Sequence, residues 1–318
     1  MVIEAKPGIK LLDTMRKVAR HIYQRPIVAK HYDKTFVRGV PPEFNRWVYA
    51  IAEAYMPINS KIFNVFEGGP GTGMFSIPMI KYIIEFHPNS FYFGIDNSQA
   101  MLRVLFSKED FTTLLATHGD RIAIGFGDLQ KKLCFPNSFF KVVILAGVLH
   151  CLTDVKATMA ELSRVLSKGG YLIIVARTDD ATRVQSGGRP IKPDINRTYL
   201  AFWTHYYALR EAKGLPLDRR CRLVYDLKHI KDEVSDALAT SFEHCEDRSF
   251  TWRARASFRD MIKAIKYGLS FALGQGISYR DQTKLADEMT RWLYMNSNQI
   301  EEIELEYQME AVIWKKIA

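Results

Sequence analysis

One stretch decides the fold of this chain of 318 residues: Val65-Phe66-Glu67-Gly68-Gly69-Pro70-Gly71-Thr72-Gly73. It directly follows a short apolar run typical of a β-strand and directly precedes a helical pattern. Glycines allow a tight turn with positive φ, and they let a ligand lie against the bare backbone at the start of a helix. The stretch therefore predicts a ligand-binding loop at the first strand of a parallel sheet.

Three classes of ligand site use such a loop. A loop for nucleoside triphosphates requires GxxxxGK[ST], and no lysine follows Gly73, which excludes this class. A dinucleotide fingerprint requires GxGxxG or GxGxxA, and counting from Gly71 the third small position is Ser76. The third class has an acid followed by GxGxG, which here is Glu67 followed by Gly69, Gly71 and Gly73.

Strand and helix patterns alternate around the loop, as in a parallel sheet with crossover helices. The predicted strands are 62–66, 91–95, 121–125, 141–145 and 171–175, and the predicted helices between them are 75–85, 98–106 and 155–166. Helices are also predicted at 11–23 and 42–54, joined by a link at 29–33. After Val175 the patterns predict helices at 197–213, 228–238, 258–273 and 280–295, a strand at 249–254, and an alternating terminal strand at 303–310.

Two further acids lie at the ends of the second and third predicted strands. Asp96 closes the second predicted strand, and a carboxylate at that strand end can accept both hydroxyls of an adenosine ribose. Asp128 follows the third strand, where a side chain can meet the adenine edge. The ligand predicted from these positions contains adenosine.

With these blocks in place, the chain resembles class I S-adenosylmethionine-dependent methyltransferases of the small-molecule "type 11" kind, from about Ala29 to Ala176. The matching segments after Asp96 are Gly127-Asp128-Leu129-Gln130, 135–143 and 164–170. The resemblance implies a Rossmann-like, doubly wound, seven-stranded sheet that is mostly parallel with an antiparallel last strand. We expect an N-terminal helical segment or lid at 1–60, the cofactor-binding core at 61–176, a mostly helical substrate cap at 177–300, inserted after strand 5, and a strand completing the sheet at 301–318.

The resemblance also implies a role for each matched residue. Glu67 would orient the amino group of the methionine part, Asp96 would bind the ribose hydroxyls, and Asp128 would accept a hydrogen bond from the adenine amine. The other residues expected to contact the cofactor are Gly68, Gly69, Gly71, Gly73, Asn97, Ser98, Met101, Gly127, Leu129, Ala146 and Gly147. The implied cofactor is S-adenosyl-L-methionine, and the implied product is S-adenosyl-L-homocysteine.

Methyl transfer from a sulfonium needs mainly the alignment of two reactants, and a base only where the acceptor must lose a proton. His150 is the candidate base; the alternative is a histidine packed beneath the cofactor. Tyr32 matches the family's N-terminal Tyr-Asp pair, which folds over the cofactor as a lid; the alternative is core packing. No metal site is expected, because the four cysteines are scattered without a CxxC pair.

The acceptor site is expected after Val175. Phe202, Trp203 and Tyr206 belong to an aromatic helix that either lines a site for a flat or apolar acceptor or forms core. The basic residues Arg183, Arg189 and Lys192 lie in a polar loop that could close on an anionic acceptor such as a carboxylate or a diphosphate, although solvation explains them equally well.

Three functions are compatible with these features. The first is methylation of a small or medium organic acceptor on O, N or C, with natural-product or isoprenoid acceptors as the expected type. The second is RNA methylation, encouraged by 44 Lys+Arg against 35 Asp+Glu, but no basic stripe or base-flipping motif supports a nucleic-acid partner. The third is binding of S-adenosylmethionine without methyl transfer.

The same sequence indicates where the protein acts. Its longest apolar run, 142–149, is far shorter than the ~20 residues that a membrane helix needs. The first residues lack the basic and apolar layout of a secretory signal. We therefore expect a cytoplasmic protein without a membrane partner.

Overall fold

The computed structural model describes residues 9–36, 39–56, 62–177, 189–190, 193–215, 227–268, 277–296 and 302–318. Its helices are α1 (Ile9–Tyr23), α2 (Pro26–Phe36), α3 (Glu43–Tyr55), α4 (Ser76–Phe86), α5 (Gln99–Phe106), α6 (Glu109–His118), α7 (Val155–Val165), α8 (Pro193–Ala212), α9 (Leu227–Leu238), α10 (Phe258–Tyr267) and α11 (Tyr279–Asn296). Its strands are β1 (Asn64–Gly68), β2 (Phe91–Asp96), β3 (Ile122–Phe126), β4 (Phe140–Ala146), β5 (Leu166–Arg177), β6 (Arg189–Pro190), β7 (Phe242–Ser257) and β8 (Glu302–Lys316).

The strands form one twisted sheet. Strands β1 to β5 pair in parallel in the order β3-β2-β1-β4-β5, and β8 lies antiparallel to β5. Strand β7 pairs antiparallel with β8, and the two-residue strand β6 also pairs with β8. The predicted doubly wound, mostly parallel, seven-stranded sheet is confirmed, with β6 in addition. The strand order reverses between β1 and β4, and ligands bind at this point in open α/β sheets.

Helices cover both faces of the sheet, because both faces of its central strands are apolar. Successive side chains of a strand point to opposite faces; Val65 belongs to one buried cluster and Phe66 to the other, and neither is exposed. The larger cluster contains residues of α1 to α6, α8, α10 and α11, and the smaller one contains residues of α7 and α9.

Three elements differ from the sequence prediction. The link predicted at 29–33 lies inside α2, where Val28 and Ala29 are buried and Tyr32 follows at helical spacing. Helix α6 was not predicted. The helix predicted at 258–273 ends at Tyr267, because Gly268 has φ 55° and caps the helix in the left-handed conformation.

Segment 177–300 provides helices α8 to α11 and also β7, a full strand of the sheet. The boundaries predicted for the lid, core, cap and last strand remain a prediction. No helix among the described residues has both the length and the apolar character needed to cross a membrane.

Candidate functional site

The glycine loop leaves bare backbone at the carboxyl ends of two neighbouring strands. Gly71 follows β1 with φ 57°, and Gly147 follows β4 with φ 67°. A Cβ added at Gly71 would come no closer than 3.9 Å to another atom, and one added at Gly147 would meet nothing within 4 Å. These glycines combine positive φ with open space, which fits a ligand that lies against the backbone. This crevice is where the sequence predicts the cofactor.

Asp96 ties the glycine loop to the end of β2. Its carboxylate accepts hydrogen bonds from the backbone N–H of Gly71 at 2.8 Å and from that of Ser98 at 2.7 Å. Burial raises the pKa of Asp96, and the two backbone donors oppose this shift. A carboxylate oxygen can accept more than one hydrogen bond, so both oxygens keep acceptor capacity for ribose hydroxyls.

Glu67 is buried at the carboxyl end of β1, with 1% of its surface exposed. It accepts a hydrogen bond from the hydroxyl of Tyr92 on β2. Burial raises the pKa of Glu67 to about 7, and hydrogen bonds from Ser76 and Tyr92 oppose the shift. A nearby cationic amino group would favour the ionised form of this carboxyl. The sequence analysis did not predict that Tyr92 and Ser76 contact Glu67.

The residues predicted around the adenine lie together at the carboxyl ends of β2 and β3. Ser98 caps helix α5 by accepting a hydrogen bond from Met101 N at 3.1 Å, and the Gly127 N–H donates to the Asp96 carbonyl at 3.0 Å. Met101 and Leu129 are buried, and Leu129 packs in the smaller apolar cluster. The structure thus brings the predicted adenine and ribose residues to one edge of the sheet.

Helix α1 contributes a polar face that the sequence analysis missed. Arg20 donates from Nη2 to Asp128 Oδ2 at 2.7 Å, and Gln24 donates from Nε2 to Asn97 Oδ1 at 3.2 Å. Four residues before Arg20, Arg16 forms an ion pair with Glu233 of α9. The four-residue spacing of Arg16 and Arg20 in the helix predicted at 11–23, with Gln24 directly after that helix, was the available signal.

His150 lies in a 3-10 turn after β4, at residues Leu149–Cys151. Its Nε2 is 3.2 Å from the hydroxyl of Tyr23, whose ring also contacts the ring of Tyr32 at 5.9 Å. Burial, assisted by the positive charge of Arg16, lowers the pKa of His150 to about 3. His150 is therefore neutral at pH 7 in this arrangement. The structure brings His150 and Tyr32 to the same tyrosine, and their catalytic and lid roles stay predictions.

Helix α2 is fastened to the glycine loop through Asp33, the residue after Tyr32. Thr72 Oγ1 donates to Asp33 Oδ1 at 2.5 Å, and Lys108 Nζ pairs with Asp33 Oδ2 at 2.6 Å. Thr72 is 2% exposed, so this contact is shielded from water. Helix α2 is thus attached to the glycine loop and to Lys108.

The aromatic residues predicted for the acceptor are buried on α8. Phe202 and Tyr206 have no exposed surface, and Phe202 packs against Phe258 and Trp292 with ring centroids 5.2 and 6.0 Å away. The indole nitrogen of Trp203 has no hydrogen-bond partner among the described residues. Their contact with an acceptor stays a prediction.

Two of the three predicted loop cations, Arg183 and Lys192, lie outside the described residues; Arg189 is described only as backbone of β6. Within the part of the chain that the structure describes, no group of three or more His, Cys, Asp or Glu side chains could hold a metal ion.

A doubly wound sheet with bare glycine backbone and acids at its switch point is the arrangement at which open α/β folds bind nucleotide cofactors. Residues 66–174, about a third of the chain, match the family model described as "Methyltransferase domain". The resemblance to class I S-adenosylmethionine-dependent methyltransferases is thereby confirmed, and the chain carries a methyltransferase domain. A solved structure from Anaeromyxobacter dehalogenans, provisionally assigned as a type II methyltransferase, has the same fold with TM-score 0.50 and 15% identity, covering 87% of this chain and 96% of that one.

Two of the curated relatives each match over less than half of the chain. "Probable polyketide synthase 28" of Dictyostelium discoideum is 30% identical over 149 residues, which are 43% of this chain and 6% of the relative. "Reducing polyketide synthase Preu2" of Preussia isomera is 30% identical over 134 residues, 40% of this chain and 5% of the relative. The chain therefore spans a small fraction of the length of these relatives.

Proposed function

We propose that this protein transfers a methyl group from S-adenosyl-L-methionine to a small or medium organic acceptor of natural-product type. The observation that carries the proposal is the crevice at the carboxyl ends of β1 to β4. There, Asp96 accepts a hydrogen bond from the backbone of Gly71, while Glu67 and Asp128 lie at the carboxyl ends of β1 and β3. These groups match the polar parts of the cofactor: an amino group, a ribose diol and an adenine amine.

The residues of this chain would bind, orient and exclude water. When bound, the cofactor supplies a methyl group on a positively charged sulfur, so the acceptor's electron pair attacks that carbon and the sulfur leaves as a neutral thioether. Asp96 would anchor the ribose while helices α1 and α2 keep water from the crevice. Where the acceptor must lose a proton, neutral His150 can take it only weakly at a pKa of about 3.

The nature of the acceptor is proposed from the relatives. Two of them are named polyketide synthases, which supports an oxygenated carbon chain as the acceptor class. Attack by carbon or oxygen of such a chain requires removal of a proton, and both atoms stay open in this proposal. A prenyl diphosphate is the alternative small acceptor, and it would require cations near the α8 helix.

The test has two stages. Calorimetry with S-adenosylhomocysteine measures binding, with the Asp96→Asn variant as its control. Transfer from methyl-labelled S-adenosylmethionine is then measured with a β-ketoacyl thioester, a hydroxyaromatic acid, a prenyl diphosphate and total RNA as acceptors. Labelling of a small acceptor is expected. Labelling of RNA alone would favour the RNA methyltransferase, and absence of binding would refute the proposal.

A further inference from the structure

The polar face of α1 spans two loops of the predicted cofactor site. Arg20 reaches Asp128 after β3, and Gln24, one turn later, reaches Asn97 after β2. Between them, the carbonyl of Tyr23 accepts a hydrogen bond from Ser98 Oγ at 2.7 Å. These three contacts hold the last turn of α1 and the residue after it against Asp128, Ser98 and Asn97, which are predicted to contact the cofactor.

Arg20 and the backbone share the Asp128 carboxylate. Arg20 Nη2 binds Oδ2, while the Gln130 N–H donates to Oδ1 at 3.1 Å. The side chains of Arg20 and Asp128 are 27% and 22% exposed, so the ion pair is partly shielded from water. An ionised carboxylate offers about four lone-pair positions, so these two donors orient it and leave acceptor capacity for one more donor.

We propose that Arg20 is a positioning residue that makes the cofactor site select an adenine. The guanidinium holds the Asp128 carboxylate in one orientation, so that a free lone pair faces the exocyclic amine of the base. The inference rests on the proposed function, since it takes Asp128 as the partner of the adenine amine. It adds a residue of α1 to a site otherwise built from the strand ends.

The chemistry of the base supplies the discriminating measurement. The exocyclic amine of adenine is a donor, which a fixed carboxylate accepts, whereas hypoxanthine carries a carbonyl oxygen at the same position. That oxygen faces the carboxylate without a proton between them, so the inosyl compound loses the hydrogen bond that the adenosyl compound makes. The ratio of affinities for the adenosyl and inosyl compounds therefore reports how firmly the carboxylate is held.

The alternative is that α1 is a gate. Arg20 would then compete with the adenine amine for Asp128, and removal of Arg20 would strengthen binding of any nucleoside that enters. A third alternative is a purely structural ion pair, whose loss would weaken both compounds equally. Removal of Arg20 therefore has a different effect in each case: weaker binding mainly of the adenosyl compound for a positioning residue, tighter binding of both compounds for a gate, and equally weaker binding of both for a structural pair.

The experiment measures binding of S-adenosylhomocysteine and S-inosylhomocysteine by calorimetry to the full chain and to Arg20→Ala, Arg20→Lys and Arg46→Ala. Arg46 forms an exposed ion pair with Glu43 on α3, and its variant serves as the matched control. We expect at least a tenfold preference for the adenosyl compound in the parent protein and in Arg46→Ala. We expect that preference to fall at least fivefold in Arg20→Ala, through weaker adenosyl binding, and to be largely restored by lysine.

Each other outcome overturns the inference in a distinguishable way. Tighter binding of both compounds by Arg20→Ala would show a gate, and an equal loss for both would show a structural pair. If Arg20→Ala does not fold, Arg20→Gln replaces it, because glutamine keeps much of the side-chain length and removes the charge; an unchanged preference in Arg20→Gln would likewise refute the positioning role. A parent protein that binds neither compound would refute the proposed function itself, whereas a parent that binds with a preference unaffected by Arg20 refutes this inference alone.

Discussion

The hydroxyl of Tyr92 on β2 donates a hydrogen bond to the carboxylate of Glu67 on β1, and both side chains are buried. The two strands pair in parallel with Glu67 opposite Gly94, which places the tyrosine two residues earlier on the neighbouring strand. A buried titratable acid therefore has a tyrosine hydroxyl as its neighbour at the strand end where the cofactor's amino group is expected.

The first prediction concerns the pH dependence of stability. Burial raises the pKa of Glu67 from its ordinary 4.5 to about 7, so between these values the folded protein binds more protons than the unfolded chain. The free energy of unfolding contributed by Glu67 is therefore full below pH 4.5 and is lost as the pH rises through 7. Relative to the parent, Glu67→Gln should gain up to about 3 kcal/mol between pH 5 and 8.

Urea unfolding of both proteins at four pH values across that range checks this difference. Tyr92→Phe is the matched control, because it keeps the acid and removes its donor; its loss of stability should continue to a higher pH, since the folded pKa of Glu67 then rises further. Parallel pH profiles for the parent and Glu67→Gln would show that the carboxyl titrates normally.

Asp96 is predicted to be essential for cofactor affinity. Its replacement by Asn removes the charge and leaves one oxygen to serve the N–H groups of Gly71 and Ser98. Since a hydrogen bond to a charged group contributes ~1.5–3 kcal/mol, the affinity for S-adenosylhomocysteine should fall at least tenfold. Calorimetry measures it, with the exposed Asp110→Asn as control. Unchanged affinity in a folded Asp96→Asn protein would remove the ribose assignment.

The contact between Thr72 and Asp33 should slow the release of the cofactor. Thr72→Val keeps the shape and loses the hydroxyl that donates to Asp33, so the tie between α2 and the glycine loop is weakened. We expect S-adenosylhomocysteine to dissociate several-fold faster, as followed by stopped-flow tryptophan fluorescence. A double-mutant cycle with Asp33→Ala should give a coupling of about 0.5–2 kcal/mol, and additivity of the two changes would contradict the tie.

Substitutions of two aromatic residues of α8 should differ in their cost in unfolding free energy. Phe202 is fully buried against Phe258, and its replacement by Ala should cost about 3–5 kcal/mol in unfolding free energy. Trp203→Phe removes an indole N–H that has no partner among the described residues, so its cost should be small. Urea unfolding measures both. A raised KM for the acceptor in Trp203→Phe, with cofactor affinity unchanged, would support the predicted acceptor contact.

The central sheet could be predicted from the sequence because short apolar runs with fixed spacing define strands and crossover helices. The loop at 65–73, Asp96 and Asp128 follow strand ends, so their meeting at one edge was predictable from topology. The strand at 249–254 was predicted too short, since β7 has exposed residues along most of its first half and pairing with β8 extends it.

The contacts that shape the candidate site were beyond the sequence. Arg20 and Asp128 are 108 positions apart, and nothing in a helical pattern states which loop a helix will cross. The same holds for Tyr92, which lay in a correctly predicted strand but whose partner depends on strand register. His150 was found as a candidate base, yet its burial against Tyr23, which lowers its pKa, required the three-dimensional arrangement.

Strand β8 is late in the chain but interior in the sheet, since β5 pairs with one of its edges and β7 with the other. During synthesis, β7 must therefore wait for residues 302–316 before it can pair, while the parallel strands can already assemble. Until then the edge of β5 is open to other strands, a state that favours aggregation. The pairing of β7 with the sheet therefore depends on the synthesis of the last strand, and not on the order in which the helices before it emerge.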